Sequence, residues 1–341
     1  MNNTWRSSLS INTALVAMLA GCAGVGSYLY ASGEAPEAQA PADSETATTA
    51  AAAASSSADA SSTAQAAPFT SADVGDCLTW EKGDGDKVRD FGRTDCLSPH
   101  RFEVSAREDL ATYPASEFGP TSQPPELTRQ AQLREELCKA PTIKYLEGRY
   151  DPVGRYSIAS ILPSAEAWKA GDRTMLCGVQ VTDDSGEPIL TEGSAREQDQ
   201  ARIAQAGECV AIDPANATHI VPCDQPHQYE VTQVVDLKPI FPEGNPSIED
   251  QDAALKPICT QAALDYVGGD DNLYNSTLQP FWTTIPTNSW TGGSHTVNCA
   301  LVFGNPDGSF AELGGSAKGA FTINGNPPPP MPVRNPLRNP Q

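Results

Sequence analysis

Residues 96–104, CLSPHRFEV, return in altered form at residues 223–231, CDQPHQYEV. Each copy starts with a cysteine, continues with Pro-His and ends with an aromatic residue, Glu and Val. The aromatic and β-branched residues at the end favour extended structure. Each copy therefore predicts a turn that leads into a β-strand.

Further landmarks recur in the same order on both sides of this stretch. Gly-Asp-Cys-Leu at 75–78 answers Gly-Glu-Cys-Val at 207–210, Tyr145 and Tyr266 each follow a cysteine by seven residues, and Trp168 and Trp290 each precede one by nine. So many matches in one order indicate a tandem duplication. We place the two modules at about residues 69–183 and 205–303.

Eight of the nine cysteines divide evenly between the modules. The first set is Cys77, Cys96, Cys138 and Cys177, and the second set is Cys209, Cys223, Cys259 and Cys299. Zinc ligands usually come in close pairs such as C-x2-C, whereas the nearest cysteines in a module are 14 or 19 residues apart. We therefore expect two disulfides per module, an oxidising compartment, and neither a metal nor another cofactor.

Three pairings are possible in each module, and the sequence does not choose among them. We predict that the first cysteine pairs with the second and the third with the fourth. The first pair would close a short connection between strands, and the second would tie a helix to a later strand.

The order of elements is also shared by the two modules. Strands carry the first and fourth cysteines, and a Pro-rich loop precedes a helix at residues 126–146 or 248–267. Pro141 and Pro257 are expected to break or kink these helices beside the third cysteine. The predicted fold class is α+β, with two tandem disulfide-stapled modules that each contain a short β-sheet and one main helix.

Four segments lie outside the modules. We interpret residues 1–31 as a membrane anchor, 32–68 as a disordered Ala/Ser/Thr-rich linker, 184–204 as a polar linker, and 304–341 as a C-terminal extension with a Pro-rich tail.

Residues 11–31 carry no charge and are long enough to span a bilayer. Arg6 precedes them and no Lys or Arg follows until Lys82, which predicts a single N-terminal anchor in the cell membrane with the bulk of the chain extracytoplasmic. Leu-Ala-Gly-Cys at 19–22 is similar to a lipobox, in which Cys22 is lipidated. The apolar residues after Cys22 favour an uncleaved signal anchor, with lipidation as the alternative.

The charge of the chain limits its partners. The net charge of −21 argues against nucleic acid, and against anionic lipid as a partner of the globular part.

The motif that most suggests an enzyme places His100 near Glu103 and His227 near Glu230. A metal site or an acid-base pair would use these residue types. Residues three apart on a strand point to opposite faces, so we expect the pairs to bond to loop backbone instead. We expect Trp168 and Trp290 to pack over the fourth cysteines rather than to bind sugar rings. No residue is assigned as catalytic.

These landmarks together resemble the septum-formation domain family of actinobacterial envelope proteins. The resemblance rests on 75–78, on the Cys-x2-Pro-His-x-Phe-Glu-Val motif, and on Gly-Asp-Arg at 171–173 before Cys177. The second module has Gly-Ser-His at 293–295 where the first has Gly-Asp-Arg. The resemblance implies a location and a role in septation, without established catalytic residues.

Three functions therefore compete. The leading hypothesis is a non-enzymatic, membrane-anchored envelope protein that binds envelope or division proteins. The second is a lipoprotein that binds a small molecule or glycan between the modules, which a pocket lined by aromatic residues would favour. The third is a wall hydrolase or metal enzyme, which His and carboxylate groups about 3 Å apart would favour.

Overall fold

The computed structural model describes residues 71–83, 88–113 and 117–332. The predicted anchor with Cys22, the linker at 32–68 and residues 333–341 lie outside the described residues. Within the described ranges, none of the helices has the length and apolar character that crossing a membrane requires.

Each module contains a five-stranded antiparallel sheet, and the two sheets have the same strand order. The first sheet is ordered β2-β1-β3-β5-β4 and the second β7-β6-β8-β10-β9. The strands are β1 (Cys77–Lys82), β2 (Val88–Thr94), β3 (Phe102–Asp109), β4 (Tyr156–Ile161), β5 (Thr174–Val181), β6 (Cys209–Ile212), β7 (Thr218–Val221), β8 (Tyr229–Asp236), β9 (Gln279–Trp282) and β10 (Thr296–Val302). Two short strands follow, β11 (Leu313–Gly314) and β12 (Thr322–Ile323). The α+β class and the tandem arrangement are confirmed.

The helices pack on one face of each sheet. They are α1 (Leu127–Leu133), α2 (Lys139–Tyr145), α3 (Ala165–Lys169), α4 (Ile248–Val267), α5 (Asp270–Ser276) and α6 (Thr287–Thr291), with a π-helical turn at Arg134–Cys138 and a 3-10 turn at Leu110–Thr112. Together α1, the π-helical turn and α2 form the main helical segment of the first module, and α4 forms that of the second.

Of the predicted break or kink at Pro257, the break is wrong, because α4 continues as a helix through this residue. Buried Leu255 and the disulfide-bonded Cys259 hold the helix against the sheet on either side of the proline. Tertiary packing of this kind outweighs the lost backbone hydrogen bond. In the first module the helical pattern changes to a π-helical turn shortly before Pro141.

The described residues contain four disulfides, which join the first cysteine to the second and the third to the fourth in each module. The pairs are Cys77–Cys96, Cys138–Cys177, Cys209–Cys223 and Cys259–Cys299. The second pair of each module ties the main helix to a later strand, β5 or β10, which lies next to the central strand of its sheet. Each closure contributes about 3 kcal/mol by restricting the unfolded chain.

The main core of each module lies between the sheet and the helix, around that second disulfide. In the first module Leu133, Trp168 and Met175 pack with Cys138 and Cys177. The second module repeats the arrangement with Leu255, Trp290, Val297, Cys259 and Cys299. Both tryptophans thus lie in the same buried cluster as the fourth cysteine.

Candidate functional site

The two motif histidines are buried at the turn that precedes the third strand of each sheet. His100 is 3% exposed and His227 0% exposed. Nδ1 of His100 lies 2.9 Å from the Ser98 carbonyl oxygen, and Nδ1 of His227 lies 2.8 Å from the Gln225 carbonyl oxygen. A carbonyl can only accept, so Nδ1 is the donor and each ring holds its own turn.

The two motif glutamates act as acceptors for a segment that follows the last strand of the module. The Glu103 carboxylate accepts hydrogen bonds from the Tyr145 hydroxyl (2.6 Å), the Ser194 hydroxyl (2.7 Å) and the Ala195 N–H (2.6 Å). We call this set of four residues the first clamp. Because three donors converge on one buried carboxylate, the clamp fixes the chain after β5 against the start of β3.

The second module repeats the clamp atom for atom. Glu230 accepts from the Tyr266 hydroxyl (2.5 Å), the Ser316 hydroxyl (2.6 Å) and the Ala317 N–H (2.6 Å). We call these four residues the second clamp. Within the described part of the chain, both glutamates therefore have the same complete set of donors.

The clamps reveal a repeat that our sequence reasoning missed. Gly-Ser-Ala-Arg at 193–196 answers Gly-Ser-Ala-Lys at 315–318, in segments interpreted as a linker and a C-terminal extension. The guanidinium of Arg196 lies 5.2 Å from the centre of the Tyr145 ring, and the ammonium of Lys318 lies 3.8 Å from that of Tyr266. The match between these two four-residue segments is the sequence signal that could have revealed the repeat.

The surroundings of both clamp tyrosines favour the protonated phenol. Burial raises the pKa of Tyr145 and of Tyr266, and the hydrogen bond to the neighbouring glutamate raises it further. The hydroxyl groups therefore remain donors throughout the physiological pH range.

The expectation that His100 and Glu103 point to opposite faces is wrong. A ring nitrogen of His100, a carboxylate oxygen of Glu103 and Sγ of Cys77 all lie within 4.8 Å of one another. Strict alternation applies only within a strand, and His100 precedes β3. The second module brings Cys209, Cys223 and Glu230 equally close. The sulfurs are joined in disulfides and the carboxylates already have three donors, so this chemistry suits a hydrogen-bonded clamp.

The two modules share a buried polar contact. Asp151, in the loop after α2, is buried and accepts hydrogen bonds from the Ser289 hydroxyl (3.1 Å) and the Ser294 hydroxyl (2.6 Å) of the second module. Both serines are also buried. A carboxylate removed from water needs such donors, so the contact couples the two modules.

Gln200 in the connecting segment reinforces this contact. Its side chain accepts from the Asp151 N–H (2.9 Å) and donates to the Arg149 carbonyl (2.7 Å), while its own N–H donates to the Gly293 carbonyl (3.0 Å). At Gly292 a Cβ atom would lie 2.8 Å from the Tyr150 carbonyl oxygen, so only glycine allows this approach. The modules thus pack directly on each other.

A cleft of about 250 Å³ opens beside this contact. Leu146, Arg149 and residues 195–200 line it on one side, and Asp236, Lys238, Gly293, His295 and Thr296 line it on the other. Its walls are polar and charged, and the imidazole of His295 is their one aromatic ring. The aromatic lining expected of a sugar-binding pocket is therefore absent from the described walls.

His295 and Asp199 form a pair in this cleft. Nδ1 of His295 lies 3.2 Å from an Asp199 carboxylate oxygen, and the His295 backbone N–H donates to the same oxygen at 2.8 Å. The His295 ring meets the edge of the Trp290 ring at a centroid distance of 4.8 Å. The pair fixes the connecting segment to the second module.

A second histidine also links the modules. Nδ1 of His219 on β7 lies 3.0 Å from Asp184, and Nε2 lies 3.3 Å from Asp213. Hydrogen bonds to Asp184 and then Asp213 raise the pKa of His219. This contact is partly exposed, and it ties the turn after β5 to the second sheet.

Comparison with known proteins places the chain in a family. The profile described as "Septum formation" matches residues 74–299, a single span that covers both sheets. The chain belongs to the septum-formation family. The resemblance noted from the sequence motifs is confirmed.

The curated relatives are named only as membrane proteins. An "uncharacterized membrane protein" of Mycobacterium tuberculosis, found under two strains, is 35% identical over 270 residues. The match covers 78% of this chain and 59% of the relative, so the chain spans less than two thirds of that protein. No solved structure matches this chain.

Proposed function

We propose that this member of the septum-formation family is a non-enzymatic, membrane-anchored envelope protein whose tandem modules lie outside the membrane and bind envelope or division proteins. The family and the name of the mycobacterial relative support a membrane location and a role in septum formation. The four disulfides are in keeping with an oxidising compartment. The residues at 11–31 are the proposed anchor.

The observation that carries the non-enzymatic part is the pair of clamps. Glu103 and Glu230 are the acidic residues of the most enzyme-like motif. The carboxylate of each accepts hydrogen bonds from a tyrosine hydroxyl, a serine hydroxyl and a backbone N–H. A general base must be able to reach a substrate proton. These buried groups instead hold the fold together.

The contact at Asp151 suggests how two modules serve one interaction. Because the modules pack through buried hydrogen bonds, a partner can contact both at once across a surface of fixed shape. Leu97 and Leu127 are large apolar side chains exposed on the first module, and Ile220 is one on the second.

Photo-crosslinking in dividing cells tests this proposal. A photoreactive residue is placed at Leu97 or at Ile220 of a fluorescently tagged full-length chain, with exposed Lys256 on α4 as the matched control position. We expect fluorescence at the septum and a discrete crosslinked protein from Leu97 or Ile220 that is absent from Lys256. Uniform envelope fluorescence with the same crosslinks at all three positions would contradict the proposal.

A second candidate function, binding of a small polar ligand between the modules, is supported by the cleft. Nδ1 of His295 lies 3.2 Å from an Asp199 carboxylate oxygen. This distance is close to the separation of about 3 Å between His and carboxylate groups that would favour a hydrolase. However, the residues that line the cleft include no serine or cysteine nucleophile, and the His295 N–H to Asp199 bond gives the pair a structural role. We therefore favour ligand binding over hydrolysis for this cleft.

A further inference from the structure

The cleft contains a cationic group without a counter-ion. Lys238 lies just after β8, and its backbone N–H donates to the Asp236 carboxylate at 2.9 Å. No group in the described part of the chain pairs with its ammonium. An unpaired lysine at the wall of a cleft is able to bind an anion without first breaking an ion pair.

Two arginines face Lys238 from the first module. Arg149 and Arg196 both pair with Glu147, at 3.2 Å and 2.6 Å. One carboxylate balances only one of the two guanidinium charges, and each guanidinium keeps further N–H donors. The net charge of the chain is −21, yet three cations line this cleft from its two sides, together with three carboxylates.

The acidic residues of the cleft are mostly engaged by donors of the protein. Asp236 accepts the Lys238 N–H, and Asp199 accepts from His295 and from the Ala201 N–H. Glu197 adds a third carboxylate to the lining. Among the cations of the cleft, Lys238 thus remains the most available to an anionic ligand.

The first module shows that the fold does not need Lys238 or His295 at these positions. Ala111 occupies the position of Lys238, and its N–H donates to Asp109 at 2.9 Å just as that of Lys238 donates to Asp236. Arg173 occupies the position of His295, and the two carbonyls accept equivalent bonds from Leu110 and Leu237.

Arg173 in the first module has a structural role. Its buried guanidinium donates to the carbonyls of Phe118, Gly119 and Trp168, and it lies 4.2 Å from the centre of the Trp168 ring. His295 makes none of these bonds to a loop. At these two positions the first module has a structural arginine and a small alanine, whereas the second module has polar groups that line the cleft.

We propose that this cleft binds an anionic end group, a carboxylate or a phosphate monoester, with Lys238 as the principal contact and Arg149 and Arg196 opposite it. The proposal rests on the second candidate function and names its ligand class. A volume of about 250 Å³ is small for a ligand pocket, so the cleft takes a small molecule or the end of a longer chain.

Calorimetric titration of the full-length protein in detergent micelles tests the proposal. The probes are N-acetylglycine as a carboxylate, methyl phosphate as a phosphate, and N-acetylglycinamide as the uncharged counterpart of the first. We expect at least one anion to bind at millimolar concentration, with the amide about tenfold weaker or more. The preferred anion distinguishes the two ligand sources.

Two substitutions make the test specific. Lys238→Ala recreates the residue that the first module has at this position, so folding is preserved, and we expect about a tenfold loss of affinity. Lys256→Ala removes an exposed lysine on α4 and should leave affinity unchanged. Equal binding of the amide and the anion, or unchanged affinity in Lys238→Ala, would overturn the proposal. If anions do not bind but the crosslinks at Leu97 or Ile220 persist, only the anion site is lost and the first proposed function stands.

Discussion

Replacing Glu103 by Gln tests the first clamp with almost no change in size. One carboxylate oxygen of Glu103 accepts from the hydroxyls of Tyr145 and Ser194, and the other accepts from the Ala195 N–H. In Gln one of these oxygens becomes an NH2 group, which meets a donor instead of an acceptor. One hydrogen bond to a charged group is lost, at about 1.5–3 kcal/mol, and the other bonds lose their charge assistance. We expect a destabilisation of about 3 kcal/mol.

The measurement is thermal unfolding followed by circular dichroism, together with hydrogen exchange at the Ala195 amide. A loss of about 3 kcal/mol corresponds to a fall in Tm of roughly 6–12 °C if both modules unfold together, as a unit of roughly 150–250 residues or slightly more. We also expect the Ala195 amide, which donates to Glu103 at 2.6 Å, to lose protection.

Glu108→Gln is the matched control, because Glu108 lies on the same strand. Its side chain is half-buried, and burial raises the pKa of its carboxyl group. Removing that charge should leave stability unchanged or slightly higher at neutral pH. If Glu103→Gln has the same Tm as Glu108→Gln and the Ala195 amide stays protected from exchange, the reasoning about the clamp is refuted.

Three further predictions concern the links between and within the modules. Asp184 and Asp213 raise the pKa of His219 above 6.5, so their contribution is complete below about pH 6.5 and is lost as the pH rises through the raised pKa. The difference in unfolding free energy between wild type and His219→Gln, from urea titrations, should be largest below about pH 6.5 and shrink as the pH rises above it; a constant or growing difference would contradict the assignment. Asp151→Asn should cost about 2 kcal/mol and separate one calorimetric transition into two, whereas an unchanged single transition would show that Asp151 does not couple the modules. All eight module cysteines should resist alkylation in denaturant without reductant, and labelling of several would contradict the disulfides.

The repeated landmarks were enough to predict the class of fold. The predicted cysteine pairs are the ones observed, since one pair closes a strand connection and the other ties the helix to the sheet. The main helices were placed correctly, although Pro257 does not break α4. A local rule about proline does not include the packing of Leu255 and the disulfide of Cys259.

The site could not be predicted in the same way. Glu103 and Ser194 are 91 residues apart, and Asp151 and Ser294 are 143 apart. No local pattern reports such contacts, and Gly-Ser-Ala-Arg at 193–196 is too short and polar to stand out from a linker. The cleft depends on how the two modules meet, which the repeat alone does not specify.

The clamps also set the order in which a growing chain can finish folding. The five strands and all four cysteines of the first module have been synthesised by residue 183, yet two of the three donors to Glu103 come from residues 194 and 195. The first clamp can therefore form only after the segment that connects the first module to the second has been synthesised. The same delay recurs after β10, where Ser316 and Ala317 supply Glu230. Recombinant fragments of either module should consequently end beyond residue 204 or residue 326, so that each glutamate meets its last partners.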